Sequence, residues 1–82
     1  MQSNNQLATP ALVKSVRKKF GLNQTQLEVI LLGHDRSKGR HVNRWENGKM
    51  NLSYLAEQIL LYLHNNDRAL DDDFIKILFK NI

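Results

Sequence analysis

The chain has 82 residues, 41% of them hydrophobic, with four glycines, one proline and no cysteine, which bounds it to one small domain, marginal as a monomer, and excludes a second catalytic domain, a disulfide framework and thiolate chemistry. Its longest apolar run, Ile59 to Leu63, is far too short to span a bilayer, and its polar start, "MQSNNQLATP", lacks the apolar stretch of a signal peptide, so a soluble cytoplasmic protein is expected. The net charge of +4 is unevenly spread: residues 1–49 hold nine Lys and Arg against Glu28, Asp35 and Glu46, giving +6, while residues 50–82 hold Arg68, Lys76 and Lys80 against five acids, giving −2. A basic half on a mildly acidic half suggests one face that meets a polyanion and another that does something else.

Residues 1–8 read as a flexible N-terminus and 9–82 as a single domain. Thr9 followed by Pro10 is a helix start, a capping hydroxyl and then a residue whose missing N–H costs nothing in the first turn. Leu12, Val13, Val16 and Phe20 recur at helical spacing up to Gly21, giving a first helix at about 10–20. Asn23 can cap a second helix, about 24–32, in which Leu27, Ile30 and Leu31 form an apolar stripe closed by Gly33. "HDRSKG" is a polar turn leading into a third helix, about 37–47, which Asn47-Gly48 stops. "LSYLAEQILLYLH" is a fourth, strongly apolar helix that ends at "NND", and the C-terminal helices together span about 52–80. "LDDDFIKILFKNI" opens with three aspartates at the positive end of a helix dipole and closes with Lys80 at the negative end; a fifth helix is expected, with a strand through "FIKILF" as the alternative. Nothing repeats internally.

In the third helix Val42 and Trp45 share one face, so Arg40, Asn43, Arg44 and Asn47 fall largely on the others. Arg suits guanine O6/N7 and phosphate, Asn suits adenine N6/N7, and an α-helix is the element that fits the major groove. Other chemistry has little footing. His34, His41 and His64 lack metal-ligand spacing, Asp71 to Asp73 lack the alternation and glycine of a calcium loop, the glycines are scattered punctuation, and no nucleophile has a matched base. Neither an enzyme nor a metal or other cofactor is expected.

"GLNQTQLEVILLG" followed by "HVNRWENGK" resembles the helix-turn-helix of the XRE, or Cro/phage-repressor, family, across about residues 13–63. The resemblance implies an all-α, lambda-repressor-like bundle of about five helices, with the helix-turn-helix at about 23–47. It also implies a bacterial or phage-encoded regulator that represses transcription, as a dimer on a palindromic operator in double-stranded DNA. Carried over by position, Gln24 would bond a backbone phosphate, Arg40, Asn43 and Arg44 would face bases, and Asn47 and Lys49 would be further phosphate contacts. Arg17 and Glu46 stand where relatives hold a partly buried ion pair. Two departures bear on the site: Glu28 stands where relatives have a small residue, and the twelve steps from Gly33 to Trp45 make the turn longer by about three residues. The longer turn adds Lys38 to the base-facing set and Arg36 and Ser37 to the phosphate-facing set. The Pro that relatives carry after Gly-Lys is absent.

In "FIKILFKNI" six of nine residues are apolar, and a helix turns them through nearly its whole circumference. A homodimer through Phe74, Ile75, Leu78, Phe79 and Ile82 would hide that surplus, together with Leu60, Leu61 and Tyr62 of the fourth helix; a monomer whose last helices wrap one core is the alternative. An antitoxin-type or adaptor protein that binds another protein through helices four and five is the alternative function.

Overall fold

The computed structural model describes residues 8–80. Five helices follow one another, α1 (Pro10–Lys19), α2 (Gln24–Leu32), α3 (Arg40–Glu46), α4 (Tyr54–Asn65) and α5 (Asp72–Leu78), and the described residues contain no strand. Four of the five begin at a side chain that accepts a backbone N–H the helix itself cannot satisfy. Thr9 accepts from Leu12, Ser53 from Ala56 at 3.2 Å, and Asp71 from Phe74 at 2.7 Å. At α2, Asn23 and Gln26 form a reciprocal capping box, side chain to backbone at 2.8 and 2.9 Å. The Asp71 cap, with Asp72 and Asp73 in the first turn, decides between helix and strand for "FIKILF": the segment is helical up to Leu78.

The helices close on one apolar core. Val13 and Val16 of α1, Leu27 and Leu31 of α2, Val42 and Trp45 of α3, and Ala56, Leu60 and Leu63 of α4 are all buried, joined by Leu22, Leu52 and Phe79. Each large side chain so removed from water contributes about 1.5–3 kcal/mol. α3 packs on α1 and α2, and α4 closes the bundle behind the same two helices. Lys19 ties α1 to the end of α4, its ammonium bonding the carbonyls of Leu63 and His64 and the Asp67 carboxylate at 2.5 Å. Just before the Thr9 cap, Ala8 is buried and its N–H donates to Glu57 Oε2 at 3.0 Å.

Two expectations about the C-terminal part need correction. Phe79 is not on an outer face but buried in the domain's own core, because α5 ends there and the chain turns its ring inward against the bundle. Leu60 is likewise fully buried rather than surplus, lying on the same face of α4 as Ala56 and Leu63. Ile75 is partly buried against the core, whereas Phe74, Ile77 and Leu78 are exposed; Ile82 lies outside the described residues. No described helix is long and apolar enough to cross a membrane.

Candidate nucleic-acid interface

α3 is the helix on which the expected base contacts fall, and its two ends are held differently. At its start no residue of its own supplies a cap: the N-cap position is Gly39, with φ 88° and no side chain. The acceptor comes from across the structure instead. Glu28 on α2 is fully buried, and its Oε1 accepts the backbone N–H of His41 at 3.1 Å and the Ser37 hydroxyl at 2.5 Å. Ser37 Oγ also lies 2.8 Å from His41 Nδ1. Burial pushes the Glu28 carboxyl up, but the Ser37 hydroxyl, the N–H groups of His41 and Gly39 and the charge of His41 together outweigh it, so the carboxyl sits below its ordinary value. A buried anion at the positive end of a short helix does the work of an N-cap from outside the helix. Gly39 makes that docking possible: a Cβ there would stand 2.9 Å from the Thr25 amide nitrogen and 3.1 Å from the Gln24 carbonyl carbon.

Helix three therefore starts at Arg40, not near 37. Lys38 (φ 53°) and Gly39 are both left-handed, which no continuing right-handed helix admits, and Arg36 to Gly39 form a turn. Ser37 is correspondingly not free for a phosphate, because its hydroxyl is spent on Glu28 and His41. Arg36 and Lys38 remain exposed in the turn.

The far end is pinned by Glu46. Arg17 of α1 forks onto it, Nε to Oε2 at 2.6 Å and Nη2 to Oε1 at 3.2 Å, while its Nη1 donates to the Leu22 carbonyl. Gln24 Nε2 also donates to Glu46 Oε1, at 3.2 Å, so this amide braces α3 and has one N–H left for any outside acceptor. Asn47 Nδ2 folds back on the Asn43 carbonyl at 2.7 Å, and the Lys49 N–H closes on the Arg44 carbonyl at 2.8 Å.

Between these anchors Val42 and Trp45 are buried, while Arg40, Asn43, Arg44, Asn47 and Lys49 are all exposed. His41, one turn before Trp45, packs toward it with ring centroids 6.1 Å apart. The structure thus brings two guanidinium forks and two amides to one solvent-facing side of a short rigid helix, with Lys38 and Lys49 at its two ends. Glu28 is the residue whose part the sequence concealed; the signal for it was an acid at a helix position that the hydrophobic stripe of α2 surrounds, paired with a longer turn carrying Ser37 and His41. Among the described residues no three His, Cys, Asp or Glu side chains gather as a metal site requires. Comparison with family models, with curated proteins and with solved structures finds no match to the chain.

Proposed function

We propose that this chain is a sequence-specific double-stranded DNA-binding transcriptional regulator, a repressor of the phage or mobile-element type with a lambda-repressor-like helix-turn-helix, reading a palindromic operator as a homodimer. The observation that carries the reading is α3 itself: Arg40, Asn43 and Arg44 stand exposed on a helix whose other side and both ends are fixed by burial, by Glu28 and by the Arg17–Glu46 pair. A seven-residue helix so held keeps its side chains in register for base edges, and Arg and Asn are the residues that fork onto guanine and adenine in the major groove. Lys49, Gln24, Arg36 and Asn47 supply the phosphate contacts that set the register.

Selection from random duplex DNA is the direct test. A consensus with inverted symmetry is expected, and Arg44→Ala should lose on the order of 1–3 kcal/mol and blur preference at one base pair. Lys49→Ala should weaken all sequences about equally and flatten the salt dependence. An Arg44→Ala protein with unchanged affinity and consensus overturns the assignment. A second reading, an adaptor or antitoxin-type protein, is favoured by a separate observation: Tyr54, Leu55 and Tyr62 of α4 are 60–78% exposed. Failure to select any DNA, with capture of a protein partner lost on Leu55→Glu, decides for that reading.

A further inference from the structure

The nine cations of residues 1–49 divide into two kinds. Arg17 is spent on Glu46, and Lys19 on the end of α4 and Asp67. The other seven, Lys14, Lys18, Arg36, Lys38, Arg40, Arg44 and Lys49, are exposed, and none makes an ion pair or side-chain hydrogen bond among the described residues. The acids of the same stretch do not balance them: Glu28 is buried and Glu46 is paired, which leaves Asp35 as the one exposed carboxylate between Ala8 and Lys49. Seven like charges held without partners oppose folding by mutual repulsion, a cost that a polyanion laid over them removes.

Five of the seven belong to the turn before α3, to α3 or to the loop after it. Lys14 and Lys18 do not, and the packing explains where they lie. The start of α1 rests against the end of α3: a Cβ on Gly48 would meet Pro10 Cγ at 3.8 Å, and Arg17 one face over is bonded to Glu46. Lys14 and Lys18 follow Pro10 at intervals of four on an exposed row of α1, so they extend away from Lys49 along the same border of the domain.

We propose that Lys14 and Lys18 form a phosphate-binding strip on α1 that carries the DNA footprint past α3, onto backbone phosphates beyond those met by Lys49. The inference rests on the reading of the chain as a DNA-binding protein. The partner is the sugar-phosphate backbone of duplex DNA; the strip carries two ammonium groups and no base-matching fork, so it adds affinity and salt dependence without sequence preference.

The test is a salt series on the full chain with its selected duplex. Each neutralised phosphate contributes about 0.9 to the slope of log K against log salt, so Lys14→Gln/Lys18→Gln should flatten that slope by nearly two units. Between 50 and 200 mM salt the double variant should lose about twelve-fold less affinity than the parent, with its consensus unchanged. Arg68→Glu changes the charge by the same two units in the acidic half, outside α5, and should leave the slope where it was. An unchanged slope in the α1 variant, or an equal change in the Arg68→Glu control, overturns the strip while leaving the DNA-binding reading intact. Absence of duplex binding by the parent, including binding only to anionic vesicles, overturns both.

Discussion

Glu28 on α2 holds the first turn of α3 through the backbone of His41, its Oε1 3.1 Å from that amide nitrogen. Since the carboxyl is held below its ordinary value of 4.5, the ionised form favours the fold, and its contribution is complete above that pH and lost as the pH falls through the folded-state value. Glu28→Gln should therefore cost about 1.5–3 kcal/mol at pH 7, the worth of hydrogen bonds to a charged group, and should flatten the acid side of the stability profile. Asp67 is shifted in the same direction, by its hydrogen bond to Lys19 and that residue's charge, but its side chain is exposed and the pair is screened. Urea melts of parent and variant from pH 7 to pH 3 check this: parallel curves would mean that Glu28 is not the group titrating.

Gly39 and Gly33 are both left-handed, at φ 88° and 80°, yet they differ in surroundings. Alanine at Gly33 meets nothing within 4 Å and should cost only the backbone strain, roughly 1–2 kcal/mol. At Gly39 the same substitution drives a methyl to within 2.9 Å of the Thr25 backbone, which cannot yield without parting α2 from α3. Gly39→Ala should be the more destabilising of the two and should weaken DNA binding in the fraction that still folds. Equal melting temperatures for the two variants would refute the close approach.

How far the sequence could be read follows from the range of each interaction. Caps act over three residues, so Thr9, Asn23 and Asp71 located helix starts from the sequence within a residue or two. The apolar rows of α1 and α2 showed over the same short range what faces the core, whereas α4 is apolar on most sides and Leu60, expected outside, is buried. The start of α3 was missed because its cap sits eleven residues upstream of Gly39, on another helix, and a buried carboxylate reads in sequence as an interruption of the stripe. Phe79 was misassigned because "FIKILF" offers apolar residues on every side of a helix, and only the packed position of α5 selects which one goes in.

The Arg17–Glu46 pair joins the last turn of α1 to the last residue of α3, with the Glu46 side chain almost wholly buried and Arg17 partly so. Removing either partner strands a charge or its donors; Glu46→Gln and Arg17→Met should each cost about 3 kcal/mol, the lower end of the range for a broken buried pair. In the double variant the costs should not add, leaving a coupling of about 1–3 kcal/mol. Gln24 also bonds Glu46, so Gln24→Ala should cost less by itself but more in the presence of Arg17→Met than alone. Additive losses across the Arg17 and Glu46 cycle would show that the two side chains act independently.

α5 is the element whose burial is least complete: none of Asp72 to Leu78 is buried, and Ile77 is 71% exposed beside exposed Phe74 and Leu78. Apolar side chains left wet on a short peripheral helix form a patch that small soluble proteins cover by pairing. Two copies of α5 laid antiparallel would set Asp71 to Asp73 of one against Lys76 and Lys80 of the other, a self-complementary arrangement of the kind twofold symmetry requires. Such a dimer would carry two copies of α3 and, if these stand one DNA turn or roughly 34 Å apart, read an inverted repeat. Phe79 and Ile77 should then separate cleanly. Phe79→Ala empties a core position and should cost about 3–5 kcal/mol of folding stability, whereas Ile77→Glu should leave each protomer folded and halve the mass. Light scattering at micromolar concentration reads the mass directly, and circular dichroism confirms the fold of the variant. A parent chain that scatters as a monomer, with a selected DNA site lacking inverted symmetry, would mean that α5 serves its own core through Phe79 and Ile75 and nothing more.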